Sequence, residues 1–323
     1  MLWITFAGTA FLIVASGTIL TVYAERLGEK LNISGAFVGL IILSVVSSLP
    51  ELGTTFSVVN YFGKPDMAAG NIFGSNTFNM LILSIFDFAI GSASIYALST
   101  APHQKSILLA TLMTVASMAA IYTSGLGIIG GYAVGTSLLA FLYIFGVYSL
   151  YLDEKNSVAV GPIGRGEVPW KEIAVVIGSG AVVVASGYWL AGISEEIEKA
   201  TGWGESFVGN IFLAVTTSLP ELVITLASIR LKAYDMAIAN TVGSCFFNLI
   251  IFSLVDPFYS GPIFSDISIS NLYLAGASLF MLLLVSASLL VGKSSGIFSR
   301  LTALTKYLLI VIYLAGSWFV FSS

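Results

Sequence analysis

The 323-residue chain has one cysteine, one histidine and very little charge. Each shortage excludes something. Cys245 has no partner for an intrachain disulfide and no second thiol for a CxxC metal site. His103 stands beside Pro102 in an expected loop. It leaves no His-rich centre and no Ser/His constellation, so hydrolase chemistry has no machinery, no cofactor is expected and the chain does not read as an enzyme. A proton relay at His103 is the alternative to a plain loop role. Asp, Glu, Lys and Arg together make up 9% of the residues, where a soluble domain carries roughly 25%. That shortage excludes a solvated globule. What fills the chain instead is apolar: 57% of residues are hydrophobic and the mean hydropathy is +0.97. Several runs reach the roughly 20 apolar residues that cross a bilayer as a helix. They lack the alternating segments of about ten residues that build a membrane barrel. The first run has no basic n-region, so it is expected to be a true helix rather than a cleaved signal.

The fold class expected is an all-α polytopic membrane protein with ten transmembrane helices. The expected spans are residues 2–24, 35–61, 66–87, 104–124, 127–151, 172–193, 206–230, 235–255, 268–291 and 301–321. With the N-terminus outside, eleven of the thirteen basic residues fall in inside loops; only Lys64 and Lys199 fall outside. That bias puts both termini outside. The acidic loop holding Glu195, Glu196, Glu198 and Glu205 then faces outward. It either concentrates cations or is merely a solvated loop. The expected location is the cell (plasma) membrane. The expected partners are the lipid bilayer and transported ions, with no nucleic acid and no obligate protein partner.

The chain repeats itself. Val14-Ala15-Ser16-Gly17 returns as Val184-Ala185-Ser186-Gly187, Glu25 as Glu195, and Phe37-Val38-Gly39 as Phe207-Val208-Gly209. Beyond the next loop Asp66-Met67-Ala68 returns as Asp235-Met236-Ala237, Gly74-Ser75 as Gly243-Ser244, Phe78-Asn79 as Phe247-Asn248, and Asp87 as Asp256. Two halves follow, 1–152 and 172–323, joined by a cytoplasmic linker over 153–171 that is rich in Gly and Pro. Five helices per half is an odd number, so the second half inserts upside down. This is the inverted-repeat plan of secondary transporters, with a site near the midplane.

The repeated core is Ser47-Ser48-Leu49-Pro50-Glu51, which returns as Thr217-Ser218-Leu219-Pro220-Glu221. Proline has no N–H and clashes with the carbonyl four residues back. Pro50 therefore releases the Val46 carbonyl and Pro220 that of Thr216, and lipid offers no replacement donor. A carboxylate beside each break costs roughly 2.5–3.5 kcal/mol at depth. Asn71, Ser75 and Asn79 form a polar stripe at i, i+4, i+8, repeated by Asn240, Ser244 and Asn248. Gly70, Gly74 and Gly243 favour close helix approach. Carbonyls, hydroxyls and carboxylates are the ligands hard cations such as Ca²⁺ accept. Two negative charges balance one Ca²⁺, two Na⁺ or two protons, and competition for the same oxygens is a basis for antiport. The plainer readings are a proline kink and polar packing glue. Asp87 and Asp256, near helix ends, read as interfacial caps, and Cys245 as a small buried residue.

At these residues the chain resembles the sodium/calcium exchangers of the cation/calcium antiporter superfamily, prokaryotic type. Their repeats carry a Gly-Thr-Ser-Leu-Pro-Glu type motif and a Gly-Asn-x-x-Gly-Ser-x-x-x-Asn/Asp motif. Here the second motif runs Gly70-Asn71-Ile72-Phe73-Gly74-Ser75-Asn76-Thr77-Phe78-Asn79, and its copy runs Ala239 to Asn248. The resemblance implies exchange of Ca²⁺ for Na⁺ by alternating access. It implies Glu51 and Glu221 as central Ca²⁺ ligands, with the Ser47 and Thr217 carbonyls. It implies Ser48, Ser75, Ser218 and Ser244, with the Ser44 and Ala214 carbonyls, at flanking Na⁺ sites, and Asn79 and Asn248 completing the centre. The first and sixth helices would slide against the rest. The chain departs at Val46 and Thr216, where the motif has Gly, at Ser47, where it has Thr, and at Asn248, where many sodium-coupled members have Asp. The last change keeps a Ca²⁺/H⁺ antiporter as the alternative; a passive cation channel is a further one.

Overall fold

The computed structural model describes residues 1–30, 44–90, 94–99, 103–125, 127–129, 132–157, 169–291 and 297–322. Fourteen α-helical segments are described: α1 Leu2–Lys30, α2 Ser44–Ser47, α3 Leu49–Asn60, α4 Pro65–Ile90, α5 Ile95–Leu98, α6 Gln104–Tyr122, α7 Val134–Ser157, α8 Trp170–Thr201, α9 Glu205–Val208, α10 Val215–Thr217, α11 Leu219–Arg230, α12 Tyr234–Val255, α13 Asn271–Val291 and α14 Ile297–Ser322. A π-helical turn, Gly209–Ala214, links α9 to α10. Eight of these helices are long and apolar enough to cross a membrane, and the pair Glu205–Thr217 and Leu219–Arg230, bent by 44°, makes a ninth if it is one span. The second expected span is described only from Ser44; Phe37, Val38, Gly39 and most of the 153–171 linker lie outside the described residues.

Local chemistry explains where element ends depart from expectation. The fifth expected span began at 127, but α7 begins at Val134. Before it, Ser124, Gly125 and Gly127 adopt φ of 52°, 94° and 87°, a left-handed backbone that ends a helix. Ile128–Ile129 and Tyr132–Ala133 then pair as a short antiparallel hairpin. The sixth span was expected to end at 193, but α8 runs to Thr201. Lys199 pairs with Glu195 one turn back at 2.8 Å, and Gly202 closes the helix at φ 70°. A polar sequence thus extends the helix beyond its apolar run.

The middle of the molecule is α4 and α12. In α12 89% of the spanning window is buried, against 22% in α1 and α8. A helix apolar on every face belongs inside. The polar stripes ride on these two helices. Outside them α1 lies along α8; α8 also packs on α3, and α1 on α11. Each peripheral helix therefore reaches the broken helix of the other half. Close approach is possible because the contacts are small: a Cβ on Gly17 would stand 2.6 Å from Pro220 Cγ, and one on Gly187 3.0 Å from the Thr54 nitrogen. The expected closeness at Gly70 is also present, where a Cβ would lie 2.3 Å from the Ser206 carbonyl oxygen.

Both helix-end aspartates act as caps. Asp87 Oδ1 accepts from the Ile95 N–H at 2.7 Å, and Asp256 Oδ1 from the Ile263 N–H at 2.8 Å. Asp87 ties the end of α4 to the start of α5, and Asp256 ties the end of α12 to the 3-10 turn Ile263–Ser265. His103 sits at the N-cap position of α6 and meets Asp235 Oδ1 through Nε2 at 3.1 Å.

Candidate functional site

The two Leu-Pro-Glu strings break their helices in the same way. Helices α2 and α3 meet at Ser48, with φ −89° and ψ 11°; α10 and α11 meet at Ser218, with φ −87° and ψ 7°. Both residues lie in the sparsely used bridge region. The following proline occupies the first turn of the new helix, where its missing N–H costs least, and the glutamate follows it directly. Ser48 and Ser218 still donate their own N–H back to Ser44 and Ala214, at 3.1 and 3.0 Å. Those two carbonyls also accept side-chain hydroxyls, Ser44 from Ser47 at 3.3 Å and Ala214 from Thr217 at 3.3 Å.

Glu51 and Glu221 are fully buried. Ser218 Oγ donates to Glu51 Oε1 at 2.7 Å, and Ser48 Oγ donates to Glu221 Oε1 at 3.0 Å. Each motif serine thus clasps the carboxylate of the other half. From the central helices Ser75 Oγ approaches Glu51 Oε1 at 3.3 Å and Ser244 Oγ approaches Glu221 Oε1 at 3.4 Å. Ser47 Oγ and Ser244 Oγ are 3.4 Å apart. The second oxygen of each carboxylate, Oε2, is buried with no hydrogen-bond partner among the described residues. Such oxygens are costly to leave bare in protein and are the ones free to face a cation.

The polar stripes divide. Asn71 braces both broken helices: its Nδ2 donates to Thr55 Oγ1 at 2.8 Å and to the Glu51 carbonyl at 3.4 Å, and its Oδ1 accepts from Thr217 Oγ1 at 3.4 Å. Asn240, the matching residue, has neither side-chain atom hydrogen-bonded among the described residues. Asn79 is likewise buried, with its amide beside the Cys245 thiol. Asn248 donates through Nδ2 to Asn76 Oδ1 at 3.1 Å, and its Oδ1 has no hydrogen-bond partner among the described residues.

The structure therefore gathers Ser47, Ser48, Glu51, Ser75, Ser218, Glu221 and Ser244 by direct contact, with Ser44, Ala214 and Thr217 one bond behind. Asn79 and Asn248 lie one turn along the stripes from Ser75 and Ser244. Thr55 and Asn76 entered unremarked in the sequence. Asn76 stands inside the repeated motif and faces Cys245, its match at an offset of 169, which was the signal available. Among the described residues no three His, Cys, Asp or Glu cluster as a metal centre. The oxygens come instead from two carboxylates, hydroxyls and amides, a donor set for hard cations.

Comparison with known proteins gives the same direction. A relative described as a putative antiporter, CaxA of Alkalimonas amylolytica, is 24% identical over 307 residues, 93% of this chain and 92% of its own. The inner membrane protein YrbG of Escherichia coli K12 is 25% identical over 269 residues, 75% of this chain and 77% of its own. The fold matches that of the sodium-calcium exchanger NCX_Mj soaked with 10 mM Na⁺ and zero Ca²⁺, with a TM-score of 0.63 and 22% identity over 97% of this chain and 98% of that one. The family profile described as sodium/calcium exchanger protein matches residues 1–152 and 171–321. With nearly every residue inside that match, the chain belongs to the sodium/calcium exchanger protein family.

Proposed function

We propose that this membrane-embedded cation/Ca²⁺ antiporter moves Ca²⁺ out of the cell against inward Na⁺. The family is one of exchangers, not enzymes. The observation that carries the proposal is the crossed clasp of Ser218 on Glu51 and Ser48 on Glu221, with both Oε2 atoms left bare. One Ca²⁺ neutralises the two carboxylates, and so do two Na⁺. In this reading the Ser47 and Thr217 carbonyls, Asn79 and Asn248 complete the Ca²⁺ shell. Ser48, Ser75, Ser218 and Ser244, with the Ser44 and Ala214 carbonyls, hold Na⁺. Residues 1–152 and 172–323 act as inverted five-helix halves of a ten-helix protein with both termini outside, in the cell membrane. Helices α1 and α8 slide over the broken helices, a motion that the small Gly17 and Gly187 contacts favour.

Vesicles loaded with Na⁺ and holding the purified protein are expected to take up ⁴⁵Ca²⁺, and Glu51→Gln or Glu221→Gln to abolish uptake. Uptake that persists in both variants overturns the site. Uptake indifferent to Na⁺ but driven by a pH gradient selects the second reading, Ca²⁺/H⁺ exchange. The neutral Asn248 is the observation that favours it, since it withholds one ionisable group from the centre.

A further inference from the structure

Asn76 and Cys245 match at the repeat offset and touch each other. Asn76 Nδ2 donates to the Cys245 carbonyl at 3.2 Å, and Cys245 Sγ donates to the Asn76 carbonyl at 3.6 Å. The thiol is thereby turned to the backbone of α4. The amide of Asn76 is fixed by its own bond, so Oδ1 must face the other way. There it accepts from Asn248 Nδ2 at 3.1 Å. Both residues are fully buried.

This matters because an amide has one end that attracts a cation and one that repels it. Asn248 lies one turn beyond Ser244, whose hydroxyl approaches Glu221. A free Asn248 amide there presents either end. We propose that Asn76 is a positioning residue that holds Nδ2 of Asn248 away from the ion and leaves its Oδ1 to bind it. The inference rests on the Ca²⁺ site proposed above. It explains how an asparagine serves at 248: an aspartate needs no such guide, since both its oxygens accept. The other half has only a weaker counterpart. There Asn79 meets the matching neighbour, Cys245, through its thiol, and a sulfur is only a weak partner that orients an amide poorly.

The test is ⁴⁵Ca²⁺ binding to purified full-length protein in detergent, in a double-mutant cycle. Asn76→Ala is expected to weaken Ca²⁺ binding about tenfold, the usual scale for losing a group that orients a ligand. In an Asn248→Asp background the same Asn76→Ala change is expected to leave affinity unchanged, because no amide remains to be oriented. An equal loss in both backgrounds makes Asn76 merely structural and overturns the inference, as does an unchanged affinity in the single variant. Should Asn76→Ala fail to fold, Asn76→Cys copies the residue its match already carries and takes the same cycle. Wild-type protein that binds no Ca²⁺ sinks the site itself and this inference with it, which separates that failure from a silent Asn76.

Discussion

At the scale of single residues, buried space is as specific as buried charge. Gly70 faces a carbonyl rather than a side chain, with Ser206 O 2.3 Å from where a Cβ would stand. A backbone group cannot rotate away, so one methyl must push α4 off α9. Gly70→Ala is expected to lower stability by about 1–3 kcal/mol, read as a fall in melting temperature of the detergent-solubilised protein. Gly8→Ala, which meets nothing within 4 Å, is expected to leave it unchanged. The sequence made the carboxylates and serines legible because they recur beside prolines in apolar helices, where a carboxylate is rare and costly. It could not give the pairing. That Ser218 serves Glu51 while Ser75 comes from behind depends on which halves interlock, and no spacing within one motif encodes that. Thr55 escaped notice for a related reason: its partner, Asn71, is on another helix.

At the scale of elements, the ends carry chemistry that the apolar runs do not. The start of α6 is tied to the start of α12 by His103 and Asp235. Burial pulls the His103 pKa below its ordinary value, against the opposing pull of Asp235. In the unfolded chain the imidazole titrates near its usual value of about 6.5. As pH falls through that point the unfolded state takes up the proton first, so this contribution to stability is full above it and is lost as pH drops below. The melting temperature is expected to fall from about pH 7.5 to about pH 5.5 more steeply in the wild type than in His103→Asn. Helix lengths show the same limit of sequence reading. The apolar core of α8 was plain, but its last turn rests on Lys199, Glu195 and Gly202, and a hydropathy pattern has no term for these.

At the scale of the whole molecule, a helical membrane fold was readable from the apolar composition and its long runs, and the described residues hold eight helices long enough to span, or nine with the bent pair, against the ten expected. Orientation rests on the distribution of positive charge. It yields a direct test, because the only native thiol, Cys245, is buried and leaves a silent background. Lys199 and Lys105 both have exposed side chains, at 65% and 40%. With both termini outside, a membrane-impermeant thiol reagent added to whole cells is expected to label Lys199→Cys and to spare Lys105→Cys until the cells are opened. The reverse pattern inverts the topology.

The crossed serine clasp has a consequence for how such a protein could arise. Each half gives its hydroxyl away to a carboxylate it does not own. A half living alone keeps only the serine of its own central helix at its glutamate, Ser75 at Glu51 or Ser244 at Glu221, and its motif serine is idle. If both halves descend from one five-helix unit, that unit worked only as a pair of copies facing opposite ways, so its ancestor had to be indifferent to which way it entered the membrane.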